Sequence, residues 1–412
     1  MIPERAGYWL FAAHLFAIFS IAASNILLGL LLLSLPWALR LIPWERRRRL
    51  PWPELAPLYI PLAFYVLWLA GSVLASFDPG QSVSGLRELF TLTALFLAPL
   101  LVRGEKDVRR IVDGLILAAT LFACAGLAQY LFGYGDIDRR IRGPFSHYMT
   151  FSGILLVADF LVFAALLEGK KGWAREGAAG WQWGWRWAAL LVLNGALLGS
   201  YTRSAWVGLG VVLTLLLLIR APRFLLLYVP AAILFVILAP VPLIHRVSSI
   251  TDLRDLSNYD RLCMVQAGIT MIAERPLFGQ GPELVERRYP IYRPPTAPRW
   301  DVPHLHNTFL QLAAERGLPA LAAYLGITAA SLALAWRRYL GEGGRSGPRA
   351  DLYLGTILAL LAFNLAGLFE NNWGDTEVQR PVLFVLALPF CLALGGRRTS
   401  AAEDPGVPAP GP

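Results

Sequence analysis

Two of the five histidines in this 412-residue chain stand together in Pro303-His304-Leu305-His306-Asn307-Thr308-Phe309-Leu310. A neutral imidazole takes up a proton near neutral pH, so the chemistry open to such a pair is general-base catalysis. Alternation along an extended segment sets His304 and His306 on the same side. There they could instead chelate a metal with Asp301 or Glu315, although no third ligand follows at a recognised metal spacing. Capping of the next helix is the bland alternative.

Arginines form the second set. Arg139, Arg140 and Arg142 share one connection, Arg203 sits in a very short one, and Arg246, Arg261, Arg287 and Arg288 fall in the long segment from Val241 to Gly317. Guanidinium groups are planar, permanently charged donors that match phosphate. Set beside the outer face of a membrane, they fit an anionic, phosphate-bearing lipid. Alternatively they are solvated charges balancing Asp252, Asp255 and Asp260, and Arg261 could simply pair with Asp260 or Asp255. Cys124, Cys263 and Cys391 are far apart and form no CxxC pair, so they make neither a metal site nor a redox motif.

The elements that must position these residues are membrane helices. Apolar residues make up 56% of the chain and charged residues 16%, well below the roughly 25% charge of a soluble domain. Runs near the ~20 apolar residues of a bilayer span recur along the sequence. The spacing predicts helices near Tyr8–Ala22, Ser24–Leu41, Pro57–Ser76, Leu86–Val102, Val108–Phe132, Tyr148–Leu167, Trp187–Tyr201, Ala205–Ile219, Phe224–Pro240, Leu318–Trp336, Leu352–Phe369 and Pro381–Leu394. The expected fold is an all-α polytopic membrane protein of about 12 transmembrane helices, with a large loop between the ninth and tenth. The net charge of +9 does not argue for nucleic acid, because basic residues flank helices instead of covering one domain. With the N-terminus inside, the connections holding Arg46–Arg49, Arg103–Arg110, Lys170-Lys171, Arg220/Arg223, Arg337-Arg338 and Arg397-Arg398 all fall on the cytoplasmic side, which makes the long loop periplasmic and both termini cytoplasmic. The first apolar run lacks a small-residue cleavage site and reads as a retained helix.

Four regions follow: 1–240 with nine helices, the loop 241–317, three more helices in 318–396, and a Pro/Gly-rich tail, 397–412, expected to be disordered. Within the loop, Tyr259–Glu274 has helical spacing, with Leu262, Val265, Ile269 and Ile272 on one stripe. Gly279-Gln280-Gly281-Pro282 is a turn, and Tyr289–Pro303 is expected to be extended. A helix starting at His306 or Asn307 should lie on the membrane surface. Trp173–Trp187 reads as a Trp/Gly-rich cytoplasmic loop anchored at the interface. No internal repeat suggests a transporter of inverted halves.

In four blocks the sequence resembles the O-antigen ligase and polymerase superfamily of bacterial surface glycans. They are Arg142-Gly143-Pro144-Phe145-Ser146-His147; Tyr201-Thr202-Arg203-Ser204-Ala205-Trp206; Asp260-Arg261 with Arg275-Pro276-Leu277-Phe278-Gly279-Gln280-Gly281; and the His304–Gly317 block with its His-Asn pair and later Glu-x-Gly. The resemblance covers most of the chain. It implies a GT-C-like glycosyltransferase of the bacterial inner membrane, independent of metal and cofactor, that inverts the anomeric centre. Its donor would be a glycan on undecaprenyl pyrophosphate and its acceptor lipid A-core. By the same resemblance His306 is the base, while Arg203 and Arg261 hold the pyrophosphate. His304, Arg142 and Asn307 are further candidate substrate contacts, and Glu370, in the outward-facing Glu370-Asn371-Asn372-Trp373, is a candidate contact to acceptor sugar. Asp136-Ile137-Asp138 spells the DxD of metal-dependent glycosyltransferases, a pattern this family does not use. Asp159 is an intramembrane acid without an obvious partner. A polymerase of the same superfamily, ligation to a protein, and a polytopic transporter remain as alternative readings.

Overall fold

The computed structural model describes residues 2–40, 52–102, 104–133, 140–168, 179–238, 241–250, 252 and 254–402. Among them every regular element is helical and none is a strand. The long helices are α1 (Ile2–Phe16), α2 (Ile21–Arg40), α3 (Trp52–Leu74), α4 (Arg87–Leu101), α5 (Glu105–Leu131), α6 (Tyr148–Glu168), α7 (Ala179–Gly199), α8 (Arg203–Arg220) and α9 (Tyr228–Leu238). Four helices follow in the long connecting segment: α10 (Val241–Ser248), α11 (Leu256–Glu274), α12 (Val285–Tyr292) and α13 (Thr308–Arg316). The chain ends with α14 (Leu318–Gly341), α15 (Ala350–Ala366) and α16 (Thr376–Ala402). Among the described residues, seven stretches are long and apolar enough to cross a bilayer, and α2, α9 and α15 supply shorter apolar helices. The chain is a polytopic, membrane-integral protein, and a helix coincides with each apolar segment read from the sequence.

Apolar residues on all sides of α6 and on the first two-thirds of α16 explain why these two helices form the buried centre. α15 packs against α6, α8 and α14, while α3 packs on α14 and α4 on α16. The outer helices keep rows such as Leu67, Leu74, Leu121, Leu215 and Ile219 exposed, as a lipid-facing surface requires.

Polar residues gather at the two ends of the bundle. At one end Arg109 grips Asp351 through two contacts (2.6 and 3.1 Å) and the Pro348 carbonyl (2.8 Å), and Arg186 meets Asp113 at 2.6 Å. Arg220 pairs there with Glu168 and the Tyr339 hydroxyl. The other end carries α10–α13 and the candidate site.

Several local expectations need correction. α7 begins at Ala179, so Trp183 and Trp185 belong to a helix and not to a loop. Tyr289–Tyr292 is helical, because Val285 and Tyr289, one turn apart, are both buried in a small core of their own with Met264, Ala267 and Met271. α11 buries Cys263, Met264, Ala267, Gly268 and Met271, leaving Leu262 and Ile269 exposed. Small residues on that face let α11 approach α13 closely. α13 itself is buried at Thr308 and from Gln311 to Arg316, packed between protein elements instead of lying on a membrane surface. α16 continues through Arg397 and Arg398 to Ala402, past the expected boundary of the tail. The DxD pair Asp136 and Asp138, Arg139, Arg46–Arg49 and Lys170-Lys171 lie outside the described residues.

Candidate active site

The His block is held by the start of α13. Asn307 is the N-cap, its backbone extended and its Oδ1 accepting from Leu310 N at 2.9 Å. Its Nδ2 donates to the Leu368 carbonyl (2.9 Å), Thr308 N to Gly367 O (2.7 Å) and Thr308 Oγ1 to Glu370 O (3.0 Å). The start of α13 is thereby zipped to the turn after α15. Both ends of the Asn307 amide are thus engaged in the fold. His306, one residue before the cap, adopts the left-handed conformation (φ 48°). A non-glycine residue does so at a cost, and such strain gathers at functional sites. Tyr201, beside Arg203, and Glu283 share this conformation.

That bend turns the His306 ring onto Glu370. Nδ1 lies 3.0 and 3.1 Å from the two carboxylate oxygens, and Glu370 is only 3% exposed. Burial drives the Glu370 pKa upward. The hydrogen bond from His306 and the electrostatic pull of His306, His304 and Arg261 outweigh it, so the carboxyl sits below its usual range. An ionised carboxylate only accepts, which assigns the proton to Nδ1 and leaves Nε2 of a neutral ring as the acceptor. His304 supports the bend by accepting the His306 backbone N–H at Nδ1 (3.2 Å), and its ring centre lies 4.3 Å from that of His306. Burial lowers the His304 pKa to about 4, with Glu370 only partly opposing, so this ring is neutral at pH 7.

Arg261, one turn into α11, reaches the same carboxylate, with its Nη2 3.8 Å from Glu370 Oε2. Burial lowers its pKa, Glu370 opposes, and neighbouring Arg203 and Arg299 lower it further. It therefore pairs with neither Asp255 nor Asp260. Asp260 meets Arg299 (2.6 Å), and Asp255 meets Arg203 (3.2 Å). Arg203, the first residue of α8, also donates to Ser249 O and Oγ (both 2.9 Å), fixing the chain between α10 and α11. Arg246 donates to Tyr201 O (3.3 Å), and burial followed by Arg140 and Arg203 pulls its pKa down to about 10. Arg140 lies 4.7 Å from the centre of the Tyr148 ring, a phenol that interacts electrostatically with both Arg246 and Arg261. The result is a cationic arc, Arg140, Arg203, Arg246 and Arg261, ending at a buried Glu–His pair. Concentrated like charge of this kind favours an anionic ligand.

His304, His306, Glu370 and Arg261 are brought together, and Arg203 lies within electrostatic reach of Arg261. Arg142 is different. It is exposed and occupied in a turn, with Nη1 on Ser146 O (2.9 Å) and its backbone N–H on Gln129 Oε1 (3.2 Å). Arg287 and Arg288 face away too, on Asp78 (2.5 Å) and on the Phe77 ring (4.0 Å), and rivet the segment to the α3–α4 connection. Asp159 has a partner after all, Asn194 Nδ2 at 2.7 Å. Among the described residues, the group able to hold a metal is His304, His306 and Glu370, whose ligand atoms lie within 4.8 Å of one another. The Arg261 guanidinium, 3.8 Å from Glu370, opposes a cation there.

Behind the site, Arg316 lies 2.8 Å from Glu88 Oε2, while Glu88 Oε1 accepts from Tyr65 (3.0 Å), Trp373 (2.9 Å) and Gln379 (3.3 Å). The Glu-x-Gly end of α13 crosses the Gly279–Gly281 turn, with Gln280 N on Ala314 O (2.8 Å), Gly281 N on Glu315 O (2.9 Å) and Leu318 N on Pro276 O (2.8 Å). At Gly317 (φ 83°) a Cβ would lie 1.8 Å from Leu277 O, so this crossing admits only glycine. Sequence reasoning missed Tyr148, Arg299 and the Glu88 centre, and it gave Glu370 no histidine partner.

The fold and site define a polytopic membrane protein with a buried His–Glu pair and a cationic arc at one end of its helices. Residues 187–325 match the family model described as O-antigen ligase, a match over about a third of the chain that supports its likeness to the O-antigen ligase and polymerase superfamily. The matched segment runs from within α7 into α14, so it contains Arg203, Arg261, His304 and His306, but not Glu370. No curated protein matches the chain.

Proposed function

We propose that the protein is an O-antigen ligase that transfers a glycan from undecaprenyl pyrophosphate to lipid A-core at the periplasmic face of the bacterial inner membrane. The observation that carries this reading is the meeting of His306 and Arg261 on one buried carboxylate, beside further guanidinium groups. The acceptor hydroxyl oxygen attacks the anomeric carbon, its proton passes to His306 Nε2, and the bond from that carbon to the pyrophosphate oxygen breaks with its electron pair left on the phosphate. Attack opposite the leaving group inverts the centre. Arg261 holds the departing pyrophosphate, and Arg203 adds its charge from a position fixed by Ser249 and Asp255. Donors aimed at developing charge contribute on the order of 10²–10³ in rate each. No step calls on a metal or cofactor. In this reading about twelve helices span the membrane, both termini are cytoplasmic, and α10–α13 face the periplasm.

A deletion strain complemented with single Ala variants tests the proposal. Loss of a ligase leaves rough lipopolysaccharide with polymer retained on the carrier lipid. Loss of a polymerase leaves lipopolysaccharide bearing a single repeat, which would move the protein to the other branch of the superfamily. His306→Ala and Arg261→Ala should each fail to restore the ligated glycan, and normal transfer in both would remove the site.

A further inference from the structure

Glu370 is placed unlike a sugar contact. Its carboxylate is buried, both oxygens face His306 Nδ1 at 3.0 and 3.1 Å, and Oε1 also accepts from Asn371 N at 3.1 Å. The side chain is therefore saturated by protein groups, with little surface left for an acceptor. We propose that Glu370 is a positioning residue for the base: it locks the His306 ring with Nδ1 protonated, leaves Nε2 to take the acceptor proton, and stabilises the imidazolium that results. The proposal rests on the reading of His306 as the base given above. It deepens that reading by assigning the side chain that makes the base work.

Three features support it. A carboxylate on the far nitrogen selects the tautomer and ring orientation that base catalysis needs, the logic of an acid–histidine pair in hydrolases. The backbone around both partners is immobilised, since Thr308 and Asn307 bind the turn that carries Glu370. The same carboxylate lies 3.8 Å from Arg261, so one anion ties the base to the phosphate clamp and fixes their separation. The charged and titratable groups facing His306 are His304, Glu370 and Arg261, with Arg299 beyond His304. Glu370 is the anion in that set, so its removal must weaken the base.

The test uses full-length protein in liposomes with an undecaprenyl-pyrophosphate-linked glycan and lipid A-core, and follows transfer as a function of pH. Glu370→Gln should lower kcat by roughly 10²–10⁴. The acid limb of the pH–rate profile should move to lower pH, because a ring without its carboxylate gives up its proton more readily. Glu370→Asp keeps the charge on a shorter arm, should restore part of the rate, and carries the test if the Gln variant does not fold. A wild-type kcat and an unmoved limb in Glu370→Gln, with His306→Ala inactive, would overturn the assignment alone. A raised KM for the acceptor with the limb unmoved would return Glu370 to the role of a sugar contact. Full activity in His306→Ala would instead sink the underlying reading.

Discussion

Arg316 and Glu88 form the buried pair on which the position of α13 depends, and their coupling can be worked out beforehand. At 2.8 Å the gross attraction is about 6 kcal/mol at an effective dielectric of about 20. Desolvation offsets most of it, and what a variant feels is chiefly the partner left alone. Arg316→Leu strands a carboxylate that keeps the Tyr65, Trp373 and Gln379 donors, so the expected loss is about 3 kcal/mol, the low end for a broken buried pair. Glu88→Gln leaves Arg316 with Glu315 at 3.7 Å, and about 2 kcal/mol is expected. The double variant leaves neither member of the Arg316–Glu88 pair without its partner and should cost at least about 2 kcal/mol less than the two losses together. Reversible unfolding in mixed micelles, followed by the fluorescence of the 14 tryptophans, supplies the three values. Losses that add to within about 0.5 kcal/mol would show that the pair is not one unit. The reasoning that α13 is held through Glu88 would then be refuted.

Two further outcomes follow from the same geometry. Gly317→Ala forces a Cβ to 1.8 Å from Leu277 O at φ 83°, so it should prevent the crossing of α13 over the Gly279–Gly281 turn and abolish transfer; a variant with wild-type activity and melting temperature would contradict it. Burial and the hydrogen bond with Glu377 push Asp375 up to about 7, so its neutral form is favoured in the fold, and the stability it contributes below its ordinary value is lost as pH rises through about 7. Asp375→Asn should therefore melt higher than wild type at pH 8 and show no advantage at pH 4; a difference independent of pH would rule this out.

The helices were legible because a bilayer imposes a length and a composition that few soluble segments share. The His-Asn pair was legible because Asn is a strong N-cap and its neighbour His306 stands at the helix entrance. Its partner was hidden, since Glu370 reaches it only after α14 and α15 have left and returned, and no local spacing encodes that return. Arg261 shows the same limit: the acids beside it in sequence, Asp255 and Asp260, point to other arginines. The start of α7 escaped because tryptophan, glycine and glutamine lower its hydropathy without preventing a helix. The stripe on α11 misled because Ala267 and Gly268 bury better against α13 than the larger Leu262 and Ile269 on the neighbouring face.

The segment shared with the O-antigen ligase family stops at residue 325, well short of Glu370 in the turn between α15 and α16. A chimera exchanging that segment between two relatives would import an imidazole and its guanidiniums while leaving their carboxylate to the host. The rest of α14, α15 and the turn that carries Glu370 are therefore cargo that must travel with the swapped piece, and the suture for such hybrids lies beyond Glu370.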